Sequence, residues 1–293
     1  MLRLSRAPAK LNLVLELTGR RPDGYHELAA VSQTVGWSDL VGVELGEEDL
    51  SLPCHLVVDG PHSNQVPPGE QNILLRALGL LRAEGRARPI SRVALEKRIP
   101  TRSGLGGGSA DAAALIRLAA AGPLDQELFD LALKCGADVP FAMRGGAAQV
   151  SGIGEAVRPI PALNQGVFLI TVLGAVSTAS AYRAVHPDDF SDGSRAESVA
   201  RALAASELPN PELLGSALLP AALRVTPGLA GAWQRLSAST PTMPWAMTGS
   251  GGAFFCLVPD PDQAERAIAA VARHCPGLPI RAAIPEPEWR EGA

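Results

Sequence analysis

The run Lys97-Arg-Ile-Pro-Thr-Arg-Ser-Gly-Leu-Gly-Gly-Gly-Ser-Ala-Asp-Ala-Ala-Ala-Leu-Ile-Arg-Leu-Ala-Ala-Ala121 decides how this chain is read, because a strand-like approach meets a glycine cluster that opens straight into a helix. Gly104, Gly106, Gly107 and Gly108 permit left-handed backbone and close approach of a ligand. The first N–H groups of a helix beginning near Ser109 would then point at whatever the loop holds. An anion placed there meets several donors and the positive end of a helix dipole. A tight strand-to-helix turn with surplus glycine is the plain alternative, weakened because turns rarely need three consecutive glycines.

Two familiar phosphate patterns fail on this run. No Gly-Lys-Ser/Thr closes the loop, which removes the P-loop, and Ser109 stands where a dinucleotide fingerprint counted from Gly104 needs glycine. The late run Gly249-Ser-Gly-Gly-Ala-Phe254 fails in the same way, and a plain hairpin turn would also account for it.

The 293 residues suit two medium domains or one large one, and an apolar share of 46% is ample for buried cores. No stretch of about 18 uncharged apolar residues occurs, so neither a membrane span nor export is expected. Cys54, Cys135, Cys256 and Cys275 are widely separated, without C-x-x-C spacing, which points away from zinc and disulfides and toward a reducing cytoplasm. A net charge of −4 argues against a nucleic-acid partner. Lysine occurs only at positions 10, 97 and 134.

From Lys10 to Thr18, Leu11, Leu13, Leu15 and Leu17 alternate with Lys10, Asn12, Val14 and Glu16, the period of a half-buried strand. Lys10 and Asn12 therefore share a face, about 6.6 Å apart along the strand, and are able to converge on one small group or simply form a solvated face. Arg20-Arg21-Pro22-Asp23-Gly24 is a turn that presents Tyr25 and His26. Short strands are expected within 31–60, a helix over 72–84, a strand over 92–99, a helix running to about Ala121 and a further helix over 126–135. Asp138, just after Gly136, reads as the cap of a following helix or as a catalytic acid, and spacing alone favours the cap. Pro159 and Pro161 suggest a linker, so the domain boundary is expected near 155, dividing the chain into 1–155 and 156–293.

The second half opens with an apolar strand, Val167 to Leu173, and a helix after Ser177-Thr178 that carries Tyr182. Helices follow within 196–206, 211–223 and 228–238, and Asp260-Pro-Asp-Gln263 starts another. Strands near 245–248, 253–258 and 278–284 complete an α+β pattern.

Three segments in this order, Pro8-Ala-Lys-Leu-Asn12, Ile99-Pro-Thr-Arg-Ser-Gly-Leu-Gly-Gly-Gly-Ser109 and Met247-Thr-Gly-Ser-Gly251, resemble the GHMP small-molecule kinases. Gly19-Arg-Arg-Pro-Asp-Gly-Tyr-His-Glu27, Gly136-Ala-Asp-Val-Pro-Phe141 and Gly152-Ile-Gly-Glu155 are similar to a branch of that family that acts on a cytidine-diphosphate-linked methylerythritol. The resemblance implies a two-domain α+β fold, with the active site in the interdomain cleft. It also implies transfer of the ATP γ-phosphate to the acceptor's 2-hydroxyl, with Mg²⁺ required.

By that resemblance Asp138 would accept the hydroxyl proton, Lys10 would favour the developing alkoxide and Asn12 would orient the hydroxyl. Pro100 would take part in binding ATP, the run Gly104, Leu105, Gly106, Gly107, Gly108 and Ser109 would hold its phosphates, Ser109 would lie near the metal, and Asn72 with Lys97 would lie near the adenosine. Tyr25 and Tyr182 would stack on cytosine, His26 would read its edge, and Thr178 would orient Lys10. Arg102-Ser103 stands where the family carries small residues, Ala110 replaces a frequent serine, and Leu173-Gly174-Ala175 lacks a proline-rich approach. Two other readings stay open: another GHMP kinase with a mevalonate-like or amino-alcohol acceptor, and a non-catalytic ATP-binding sensor on the same fold.

Overall fold

The structure, a computed structural model, describes residues 1–46 and 54–289. Strand β1 (Leu2–Arg20) turns at Pro22–Gly24 into β2 (His26–Leu45), its antiparallel partner. β3 (His55–Asp59), α1 (Ile73–Ala83), β4 (Ile90–Glu96), α2 (Gly107–Ala119), α3 (Gln126–Cys135), α4 (Val139–Arg144), β5 (Ala147–Ser151) and β6 (Ala156–Ile160) follow. The short strands expected within 31–60 are the rest of one long strand and β3; residues 47–53 of that stretch lie outside the described residues.

The half-buried reading of β1 is corrected: every residue from Ala9 to Leu17 is buried. Successive parts of the strand contribute Ala7, then Ala9 to Val14, then Leu15 and Leu17 to three different hydrophobic clusters, so both of its faces are covered. Register shifts against β2, one of them between Asn12 and Val14, twist the strand where its polar residues emerge. Glu16 is buried and spoken for: its carboxylate accepts the Ser191 hydroxyl at 2.9 Å and the Ala196 amide at 2.8 Å.

α2 is hydrophobic almost all round, with Ala112, Ala113, Ala114, Leu115 and Ile116 fully buried, which suits a helix enclosed by neighbours. Its small side chains let it pack closely on β1 and β2 and beside α1, α3 and α4. It begins at Gly107, two residues before the expected start, because Gly106 at φ +69° supplies the non-helical cap conformation.

The second half contains β7 (Val167–Val172), α5 (Thr178–Arg183), α6 (Ser194–Ala204), β8 (Gly215–Ser216), α7 (Leu219–Val225), α8 (Leu229–Ser239), β9 (Ala246–Met247), β10 (Ala253–Val258), α9 (Pro261–His274) and β11 (Arg281–Ala283). Asp260 caps α9 by accepting the Gln263 amide at 2.8 Å, as its spacing predicts. The helix expected over 211–223 is interrupted, because Gly215 and Ser216 leave it to pair in parallel with Val14 and Leu15 of β1.

Among the described residues, seven strands form one sheet, ordered β3-β4-β2-β1-β8 with β5 and β6 branching from β2. A second sheet has the order β11-β7-β10-β9. The position 155 lies in the turn between β5 and β6, and the pairing of those strands carries β6 with the first sheet. The chain later returns to that sheet, where the Glu286 amide donates to the Thr34 carbonyl at 2.9 Å. No helix among the described residues is long and apolar enough to cross a membrane.

Candidate active site

A cavity of about 880 Å³ is walled by β1, the hairpin tip at residues 23–26, the glycine loop before α2, the start of α4, and α5 with the 249–250 loop. The residues singled out in the sequence all line it: Lys10, Asn12, Tyr25, His26, Asn72, Lys97, Pro100, the run 104–109, Asp138, Thr178 and Tyr182.

The glycine loop is tied to β1, for the Lys10 amide donates to the Leu105 carbonyl at 2.9 Å. Gly106 is seated so closely that a β-carbon there would lie 2.8 Å from Lys10 Cγ. Gly104 packs against the second glycine loop, where a β-carbon would stand 2.6 Å from the Thr248 carbonyl oxygen. No side chain caps the first N–H groups of α2, and Gly107, Gly108 and Ser109 line the cleft, an arrangement suited to an anion at the positive end of the helix dipole.

Lys10 Nζ donates to Asn12 Oδ1 and lies 3.5 Å from Asp138 Oδ2. The Asn12 amide is used at both ends, since its nitrogen donates to Ser32 Oγ at 2.9 Å, while its backbone N–H donates to Thr248 Oγ1 at 2.8 Å. Asp138 occupies the N-cap position of α4 but makes no side-chain capping bond. Spacing favoured the cap; the carboxylate turns instead to Lys10, with its side chain 48% exposed to the cleft.

Lys97 is more deeply placed. Its ammonium reaches Asp39 at 2.5 Å and Asp111 at 2.6 Å beneath the loop. Its backbone N–H donates to the Asp59 carbonyl and its carbonyl accepts from the His62 amide, so main chain and side chain both tie it to its surroundings. Burial opposes its charge, but the two carboxylates outweigh burial and raise its pKa above the ordinary value. Burial drives Asp111 well above the carboxylate range, with Asp39 adding to the shift and Lys97 opposing it, and Asp111 Oδ1 has no partner. Asn72 caps α1, accepting the Leu74 amide at 2.9 Å and donating to the Pro67 carbonyl at 3.0 Å.

At the other end, His26 packs 5.6 Å from the Tyr182 ring and 5.9 Å from Phe190. Burial, and then the charge of Arg20, hold its imidazole below the usual value. Burial, with Asp138 adding, pushes the Tyr182 phenol up to about 12. Tyr25 stands 60% exposed on the hairpin tip, where Asp23 accepts its backbone N–H at 3.1 Å. Thr178 shares a hydrogen bond of 2.8 Å with Ser250.

Models of the GHMP kinases N terminal domain and the GHMP kinases C terminal match residues 72–146 and 195–277. A 4-diphosphocytidyl-2-C-methyl-D-erythritol kinase of Thermus thermophilus is 39% identical over 269 residues, 90% of this chain and 91% of the relative. One of Desulfitobacterium hafniense is 38% identical over 277 residues, 91% of this chain and 90% of the relative. The chain belongs to the GHMP kinase family, among its 4-diphosphocytidyl-2-C-methyl-D-erythritol kinases. A crystal structure of a 4-(cytidine 5'-diphospho)-2C-methyl-D-erythritol kinase superimposes on it with TM-score 0.73 and 37% identity, covering 97% of this chain and 98% of that one. A homoserine kinase from Cytophaga hutchinsonii, at TM-score 0.70 and 17% identity, covers 98% of this chain and 95% of its own, and shares the GHMP kinase fold alone.

Sequence reading missed the partners that hold this kinase site in shape: Asp39, Asp111, Ser32, Thr248, Ser250 and Phe190. Asp111 lay inside the decisive run and carried a signal, an acid in the first turns of a helix otherwise apolar but for Ser109 and Arg117. Asp39 carried none, since it meets Lys97 across 58 residues.

Proposed function

We propose that the cleft transfers the γ-phosphoryl group of ATP to the 2-hydroxyl of 4-diphosphocytidyl-2-C-methyl-D-erythritol, giving the 2-phosphate and ADP in the non-mevalonate supply of isoprenoid precursors. The observation that carries this reading is the Lys10–Asp138 pair at 3.5 Å, open to the cleft and set against the glycine loop by the Lys10–Leu105 bond. The acceptor hydroxyl loses its proton to Asp138 as its oxygen bonds to phosphorus, and the bond from phosphorus to the ADP oxygen breaks. Lys10 lowers the energy of the charge developing on the attacking oxygen, and Asn12 fixes the lysine.

Phosphates are held by the N–H groups of 104–109 at the start of α2. Asn72, Pro100 and Lys97 build the nucleotide end of the cleft, with Lys97 acting as support. At the acceptor end, Tyr25 and Tyr182 flank the cytosine. A neutral His26, with one donor and one acceptor nitrogen, suits a base edge that offers both kinds of group. Thr178 contacts substrate beside Ser250.

Among the described residues no group of three or more His, Cys, Asp or Glu is arranged to hold a metal. That donor set fits an ion held chiefly by the phosphates, with the half-buried Ser109 hydroxyl as its protein partner. Magnesium bound so would neutralise triphosphate charge. We also propose that the two units divide after β6, within 161–166, in place of 155.

Phosphorus NMR of the protein with Mg-ATP and the cytidine substrate, beside mevalonate and homoserine, tests the reading. A new phosphomonoester with the cytidine substrate alone is expected. Transfer only to a control would overturn the acceptor, and transfer to none would overturn the reaction.

A further inference from the structure

Arg102 stands two residues before the glycine loop with φ +53°, one of two non-glycine residues among those described in the left-handed region. For a residue with a β-carbon that conformation carries a cost that glycine escapes. The backbone around it has no room to relax. The Arg102 carbonyl accepts the Val176 amide at 3.2 Å, the Ser103 carbonyl accepts the Ala253 amide at 2.7 Å, and Ser103 Oγ donates to the Pro100 carbonyl at 2.7 Å. Gly252 closes over the same turn, where a β-carbon would lie 3.0 Å from Ser103 Cα and 3.1 Å from the Arg102 carbonyl oxygen. On the other side, Thr101 is held by Gln65 through both its amide and its hydroxyl, at 3.0 and 3.1 Å.

This strained position carries an exposed arginine that lines the cleft. The acids that line the cleft are already paired, Asp23 with Arg21, Asp111 with Lys97 and Asp138 with Lys10. No ion pair with a described residue therefore explains it. Strain tolerated beside a binding loop, at a residue the surrounding hydrogen bonds hold fixed, points to a role for its side chain. A planar guanidinium with several donors matches phosphate oxygens better than any other side chain.

We propose that Arg102 is a polyphosphate-binding residue, donating to a phosphate oxyanion at the mouth of the glycine loop. The proposal rests on the phosphoryl-transfer reading of the same cleft. The oxyanion belongs either to the ATP chain or to the diphosphate of the cytidine substrate, and binding measurements separate the two.

The test compares the wild type with Arg102→Gly, which keeps the backbone conformation and removes the charge, and with Arg102→Lys, which keeps the charge without the fork. Calorimetric titrations with an imido analogue of ATP and with CDP are run at low and high salt. The glycine variant is expected to melt higher and yet bind one of the two ligands about tenfold more weakly, a loss that shrinks as salt screens the contact. The lysine variant is expected to keep part of the affinity. Loss for the ATP analogue assigns Arg102 to the donor, and loss for CDP assigns it to the acceptor. Affinities within about twofold of wild type for both ligands would overturn the proposal. Binding requires no turnover, so failure of the reaction itself would show separately, as absent product with the wild type.

Discussion

Gly104 in the loop and Gly108 in the helix that follows it should respond to alanine in opposite ways. Gly104 has φ +86°, and a β-carbon there would lie 2.6 Å from the Thr248 carbonyl oxygen and 3.0 Å from that of Gly251. Both neighbours are backbone, so nothing flexible can yield. Left-handed backbone costs an alanine about 1–2 kcal/mol. Forced overpacking adds about 1–3 kcal/mol. At about 2–4 °C per kcal/mol, Gly104→Ala should lower the thermal midpoint by at least about 4 °C. Gly108 lies in the first turn of α2 outside the left-handed region, and its nearest foreign atom would be Ile73 Cγ2 at 3.9 Å. Gly108→Ala should therefore stabilise by about 0.5–1 kcal/mol, a rise of about 1–4 °C. The only thing left for its methyl to meet is a ligand on the loop, so affinity for an imido analogue of ATP should fall about tenfold. Differential scanning fluorimetry and calorimetric titration read both effects. A Gly104→Ala protein melting with wild type would refute the packing of the two loops, and undiminished nucleotide binding by Gly108→Ala would refute the phosphate cradle.

Asp138→Asn should lower turnover by more than about 10²-fold with nucleotide affinity unchanged, and near-normal turnover in steady-state assays would remove Asp138 as the base. Tyr25→Ala should leave the thermal midpoint alone, because the ring is 60% exposed, while CDP affinity drops by about 1–3 kcal/mol; unchanged affinity means the ring does not stack. Lys97→Met leaves two buried carboxylates without their cation and should cost about 3–5 kcal/mol in urea unfolding, an expectation that wild-type stability would reject. His26 should titrate below about 6.5 by NMR. Its depressed value means a contribution to stability present above about 6.5 and lost as pH falls through the folded midpoint; a midpoint at or above 6.5 would contradict its packing.

What was legible in the sequence was local. The glycine loop, the strand carrying Lys10 and Asn12, the helix over 126–135 and the Asp260 cap each follow from rules acting within a few residues. What was illegible came from contacts remote in the chain. Alternation made β1 half-buried, but alternation cannot show that several layers of the fold meet on one strand and cover both faces. The helix expected over 211–223 kept its apolar spacing, yet hydrogen bonds to Val14 and Leu15 drew Gly215 and Ser216 into the sheet. Asp138 satisfies the positional rule for a cap, and only the placement of Lys10 across the cleft explains why its carboxylate leaves the helix uncapped.

The buried triad and the Lys10–Asp138 pair then have separable tasks. Asp39 accepts the Arg98 and Ile99 amides at 2.5 and 2.8 Å, fixing the chain as it enters the loop, while Asp111 belongs to the helix that leaves it. One ammonium, from Lys97, joins both, so the two ends of the loop are held to a single point beneath it. From the opposite side Lys10 holds the middle of the loop through Leu105 and reaches Asp138 with its side chain. Donors fixed before the ligand arrives need no reorganisation when charge develops, which is where an enzyme of this kind gains most. Damage to the triad should therefore loosen nucleotide binding and stability together, whereas damage to the Lys10 side chain, whose backbone bond to the loop survives substitution, should fall mainly on turnover.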